Sequence, residues 1–240
     1  PTITAAESPD AGLTDATQQQ TINSAVSSFS VTASSPQVAG SSFTLTITAI
    51  LSGNVSTTYT DPVNITVNYI SPASGTGTLS VTSTSNFING VATITNQTFS
   101  DCGTITITAT NSEDSTKTGT SGNIIFIPYD FTVSVDATTQ TVNKAFNLTV
   151  TARNAQGNTC PNYKGTANLS VVYVSPSSDQ SGTISPSSLG SADFTNGRAT
   201  LTTTQYNKWG KIKIKAAEAL DAARYGESQE TMFLPKDFSV

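Results

Sequence analysis

Residues 102–110 read CGTITITAT, and residues 209–217 read WGKIKIKAA. In each stretch a glycine comes second, and an apolar side chain then follows at every second position. These are Ile105, Ile107 and Ala109 in the first stretch, and Ile212, Ile214 and Ala216 in the second. Strict alternation built on β-branched residues predicts a strand that buries one face and wets the other. Threonines fill the wet face of the first stretch, and Lys211, Lys213 and Lys215 that of the second.

Other pairs follow in the same order. SSFSVTASSPQVAGSSFTLTITA at 27–49 matches YDFTVSVDATTQTVNKAFNLTVTA at 129–152. VNITVNYISP at 63–72 matches ANLSVVYVSP at 167–176, and NFINGVATIT at 86–95 matches DFTNGRATLT at 193–202. An internal repeat explains the constant order. The ends fit the same scheme: PTITAAESPDAG at 1–12 matches ITITATNSEDST at 105–116, and KDFSV at 236–240 matches YDFTV at 129–133. The expected organisation is therefore a tail of a preceding unit at 1–28, a first unit at 29–128, a second at 129–235, and the start of another at 236–240. A chain that opens Pro-Thr-Ile-Thr without Met fits a processed or excised piece of a longer array.

Each whole unit reads as about seven short strands between Gly, Pro, Asn and Ser turns. In the second unit Phe146, Leu148, Val150 and Ala152 face one way and Asn147, Thr149 and Thr151 the other. Roughly 100 residues with one buried face per strand make a β-sandwich. The fold class expected is all-β, with tandem immunoglobulin-like sandwiches. Only AAEALDAARY at 216–225 has helical composition, and it predicts a loop or a short helical turn.

Charged residues are 11% of the chain, well under the usual quarter. Hydroxyls and amides supply the solubility instead. A net charge of −5 with no basic stripe disfavours nucleic acid and anionic lipid as partners. No apolar run is long enough to cross a membrane as a helix. Histidine is absent. That removes Ser-His-Asp and Cys-His catalysis and all His-based metal sites, and two cysteines are too few for a zinc site. No enzyme and no obligatory cofactor is expected.

TARNAQGNTCPNYKG at 151–165, followed by FTNGRATLT and a glycine-started strand, resembles the bacterial Ig-like and filamin-like repeats of cell-surface proteins, of the invasin and adhesin type. The first unit has a degenerate version, TAILSGNVSTTYTD at 48–61. The resemblance implies a structural or adhesive role outside the cell. It also makes Asn89-Gly90, Asn196-Gly197, Tyr59 and Tyr163 structural positions, the tyrosines over a sheet edge.

With strands running as in Ig-type sandwiches, Cys102 lies at the far end of the first unit and Cys160 at the near end of the second. Cys102 aligns with Trp209 and Cys160 with Ser56, so neither unit holds its own pair. The expectation is an inter-domain disulfide, Cys102–Cys160, against the alternative of two separate thiols. It would close a loop of 57 intervening residues. In the chain-entropy account such closure contributes on the order of 4 kcal/mol.

Other candidates are weaker. Acidic loops recur at 6–15, 111–119 and 218–227, and Glu113, Asp114 and Asp136 are the candidate Ca²⁺ ligands, against plain solvated loops. Trp209 with Tyr206 is the candidate sugar-binding pair, against Trp209 capping the end of its unit. Asn54, Asn64, Asn96, Asn147 and Asn168 open Asn-x-Ser/Thr sequons. The lysines lie in loops or face outward, which speaks against Lys–Asn isopeptide chemistry. The leading reading is a stiff extracellular spacer, filament or surface-layer unit that meets neighbouring copies or repeats of the same protein. The alternative is a module that binds surface glycan or a host-cell protein.

Overall fold

A computed structural model describes residues 2–5, 16–19, 25–177 and 181–236. Most of the expected 1–28 tail, its acidic loop at 6–15 and residues 237–240 lie outside the described residues. Thr2–Ala5 and Ala16–Gln19 form an antiparallel pair, with Thr2 opposite Gln19.

Every regular element among the described residues is a β-strand. In the first half, Phe43–Leu51 is flanked by Ser28–Thr32 and Val91–Gln97. The facing sheet runs Gln37–Val38, Ile124–Ile127, Gly103–Asn111, Val63–Ser71, Ser83–Thr84. Its edge pairing is parallel, with Phe126 beside Gln37. The second half has the same plan. Asp130–Val135, Phe146–Arg153, Arg198–Tyr206 and Ile184–Ser185 make one sheet. Thr139–Thr141, Thr231–Leu234, Gly210–Glu218, Ala167–Ser175 and Ser188–Leu189 make the other, again with a parallel edge. Each half is an Ig-like sandwich, whose first strand switches from one sheet to the other.

The alternation seen in sequence becomes the core. Phe146, Leu148, Val150 and Ala152 are buried and meet Ile212 and Ile214 from the opposite sheet. The outward lysines are paired: Lys211 to Glu230 at 3.3 Å, Lys213 to Glu227 at 3.3 Å, and Lys215 3.9 Å above the Tyr225 ring. Tyr59 and Tyr163 are not at a sheet edge. They are 0% and 2% exposed, and each stands edge-on between two phenylalanines, Phe29 and Phe87 or Phe131 and Phe194.

The 216–225 stretch contains no helix. Ala216 continues the Gly210–Glu218 strand into the core, and a turn at Asp221–Arg224 leads back to Tyr225–Glu227. Burial of the alanines against the opposite sheet outweighs their helical preference. The Asn-Gly pairs form the expected tight turns, with φ of 51° and 77° at Asn89-Gly90 and 49° and 73° at Asn196-Gly197. The second residue must be glycine for another reason too. A Cβ on Gly90 would collide with the Ser56 carbonyl, and one on Gly197 with that of Cys160.

Candidate functional site at the junction of the two sandwiches

Only Pro128 and Tyr129 separate the last strand of the first sandwich from the first strand of the second. The Tyr129 N–H donates to the Arg153 carbonyl at 2.8 Å, and Arg153 grips Asp130 through two bonds of 2.8 and 2.6 Å. The linker is thus tied to the loop that follows Phe146–Arg153.

That loop is the second sandwich's half of the junction. Asn154 shapes it: its Oδ1 accepts the N–H groups of Gln156 and Asn158 at 3.1 and 3.0 Å. Its Nδ2 then crosses to the Ser100 carbonyl of the first sandwich at 2.8 Å. Beside it the Ala155 N–H reaches the Ala39 carbonyl at 3.0 Å, and Gln156 Nε2 the Gly40 carbonyl at 2.9 Å. Asn162 completes the set, donating from Nδ2 at 2.7 Å and from its backbone at 3.3 Å to the two carboxylate oxygens of Asp101.

Asp101 is 2% exposed. Burial pushes its pKa up, and the N–H donors of Cys102 and Asn162 pull the other way. Ala39 and Cys102, both from the first sandwich, are fully buried within the second sandwich's core cluster. Cys160 is fully buried in the same cluster, and both cysteines are free thiols. The structure therefore places Cys102 and Cys160 in one cluster, but the expected disulfide between them is not formed.

A second carboxylate lies beside them. Glu218 is 1% exposed, accepts the Tyr163 hydroxyl at 2.6 Å, and has its pKa raised by burial. In the first sandwich Asn111 makes the equivalent contact, donating to the Tyr59 hydroxyl at 2.9 Å. A cavity of about 200 Å³ opens here, with Ile125, Ile127, Lys164, Glu218 and Leu220 in its wall.

The other candidate residues do not converge. Glu113 and Asp114 follow Gly103–Asn111 at the Tyr59 end of the first sandwich, where Asn111 Oδ1 accepts both of their N–H groups. Asp136 follows Asp130–Val135 at the opposite end of the second sandwich and accepts Gln140 at 2.7 Å. The three acids thus lie at opposite ends of the molecule and share no site. Among the described residues no cluster of three or more His, Cys, Asp or Glu could hold a metal.

Tyr206 does not join Trp209 in an exposed pair. It is fully buried, its ring 4.9 Å from that of Phe233, whereas Trp209 is 55% exposed. The five sequon asparagines are all exposed. Sequence reasoning missed Asp101, Asn154, Asn162 and Glu218. One signal was present: the pair Asp101-Cys102 takes the place of Lys208-Trp209, so this stretch departs from the repeat where the first sandwich ends.

No protein-family model and no curated protein matches the sequence. Among solved structures the chain is similar to FdeC, an Escherichia coli adhesin, at 16% identity and a TM-score of 0.44, over 90% of this chain and 66% of that one. It is similar to the Yersinia pseudotuberculosis adhesin InvE at 18% identity and a TM-score of 0.42, over 85% and 58% of the two chains. A glycosyl hydrolase family 2 member from Bacteroides cellulosilyticus matches at 10% identity and a TM-score of 0.33, over 83% of this chain and 24% of that chain. The chain thus spans less than two thirds of the length of these structures.

Proposed function

We propose that this chain is a rigid spacer segment of a secreted or cell-surface protein, in which Ig-like sandwiches joined end to end hold other parts of the molecule at a fixed distance. The observation that carries this reading is the buried junction. A two-residue linker would allow bending if the units merely hung beside one another. Here Ala39 and Cys102 of one sandwich sit inside the core of the next, and five N–H donors of the second sandwich reach acceptors on the first. Inter-domain contacts of ordinary polar character leave domains free to move; a shared core does not. The carboxylates at the junction are occupied by hydrogen bonds, which suits a structural joint.

Spin labels on exposed strand positions of the two sandwiches, such as Thr93 and Thr202, test the proposal. The expected result is one narrow inter-label distance distribution that Asn154→Ala together with Asn162→Ala broadens. A broad distribution in the unaltered chain would sink the rigid-spacer reading. The alternative is a binding module, favoured by the exposed Trp209 beside Lys208 at the outer end of the second sandwich. Retention on an immobilised glycan that is lost in Trp209→Ala would move the assignment to recognition.

A further inference from the structure

We propose that Cys102 and Cys160 are the site of a covalent cross-link between the two sandwiches, one that must be set before the junction closes and is sealed by it afterwards. The inference rests on the reading above only in placing the chain where an oxidant is supplied; the geometry is independent of it.

Three observations bring the two cysteines together. Both side chains lie inside a single buried cluster, where Cys160 is among the groups that raise the Cys102 pKa. Asp101, the residue before Cys102, is bonded at 2.7 Å to Asn162, two residues after Cys160, so the backbones on both sides are pinned. The Cys102 N–H donates to Asp101 at 2.7 Å, and the Cys160 N–H to the Ala152 carbonyl at 2.9 Å, which fixes each residue against its own sandwich. Two cysteines from different sandwiches are thus held in one cluster, with the chain fixed on both sides of it.

The same burial shuts the site. Both residues are 0% exposed. Thiol–disulfide exchange requires a thiolate and physical access to its sulfur. In the docked junction neither is met, because burial and the Asp101 and Glu218 carboxylates hold the Cys102 thiol protonated. Cross-linking therefore belongs to the open or unfolded chain. There one cysteine thiolate attacks a small disulfide such as oxidised glutathione, forming a mixed disulfide and releasing one glutathione thiol. The second cysteine thiolate then attacks the protein sulfur of that mixed disulfide and expels the second glutathione. Two thiols are oxidised to one disulfide, one glutathione disulfide is reduced to two thiols, and the protons of the two cysteines pass to the released glutathiones. Once docked, the bond is out of reach of reductant.

The test uses the whole chain and purified glutathione. Reduced chain is unfolded and refolded with oxidised and reduced glutathione, and in parallel the same oxidant is added to chain already folded and reduced. Peptide mapping without reductant reads the linkage, and far-UV circular dichroism checks the fold. The expected result is a Cys102–Cys160 peptide in the refolded sample, formed at least about tenfold more slowly when oxidant meets folded chain. Folded cross-linked chain should resist dithiothreitol and yield to it on unfolding, while Asp101→Ala speeds its native-state reduction. Two free thiols in a sample that refolded natively with oxidant would overturn the cross-link. Equal reaction rates for folded and unfolded chain would overturn the sealing. Failure of either leaves the spin-label distances untouched, so it is distinguishable from failure of the rigid-spacer reading.

Discussion

Replacing Asp101 with alanine should uncouple the two sandwiches. The carboxylate accepts the Cys102 N–H at 2.7 Å, the Asn162 side chain at 2.7 Å and the Asn162 N–H at 3.3 Å. A hydrogen bond to a charged acceptor contributes roughly 1.5–3 kcal/mol net, and the long third bond contributes little. Part of that gain is already spent on burying the carboxylate, which is why its pKa is raised. Truncation strands two backbone donors and an amide in a space that water can only partly refill, so a loss of about 3 kcal/mol is expected. The loss falls on the junction, leaving each sandwich's own core intact. Trp209 fluorescence follows the second sandwich alone, and far-UV circular dichroism follows both. In urea the two signals should change together in the unaltered chain and separate in Asp101→Ala. Asn162→Ala should do the same, and the double variant should show a coupling energy of at least about 1 kcal/mol. An Asp101→Ala chain within about 0.5 kcal/mol of the parent, with coincident signals, would refute the reasoning.

Two further substitutions probe neighbouring parts of the design. Burial raises the Glu218 pKa, so the folded chain holds that proton more tightly than the unfolded chain does. The group therefore favours folding fully below its unfolded pKa, and this contribution is lost as pH rises through the folded value. Glu218→Gln keeps an acceptor for Tyr163 and removes the charge, so its stability should rise above the parent's as pH climbs from the acid range, where the two match; a pH-independent difference in melting temperature would contradict this. Gly197→Ala should cost about 2 kcal/mol or more, because φ is 73° and the new Cβ meets the Cys160 carbonyl. Gly157→Ala, at φ 78° with open space around it, should cost only about 1 kcal/mol, and equal losses in urea titrations would argue against the collision.

The sandwiches were legible in the sequence because their physics is local and periodic. Ile105, Ile107, Ile212 and Ile214 announce one buried face, and the Asn-Gly pairs announce turns that need positive φ. The placement of both cysteines at one junction followed from strand directions taken as in Ig-type sandwiches. The polar half of the junction was not legible. Asn154 and Asn162 are common loop residues, and only the fold reveals that one reaches Ser100 and the other Asp101, 54 and 61 positions away in sequence. Composition also misled. Ala216 and Ala217 suit a helix by propensity but lie in a strand, and Tyr206 reads as a surface aromatic but fills the core beside Phe233.

What repeats in this chain builds the sandwiches, and what departs from the repeat builds the joint. Asp101-Cys102 at the end of the first sandwich is replaced by Lys208-Trp209 at the end of the second. Cys160 and Asn162 in the loop that receives it are replaced by Ser56 and Thr58. Ser56 is committed differently, its hydroxyl donating at 2.7 Å to the Ala25 carbonyl upstream. A second copy stacked head to tail would therefore set Lys208 and Trp209 against Ser56 and Thr58, with neither the carboxylate–amide pair nor the two buried thiols. The internal junction is specific to its two faces: at the outer end of the second sandwich the Lys208 ammonium donates instead to the Ser181 hydroxyl at 2.6 Å, within its own sandwich.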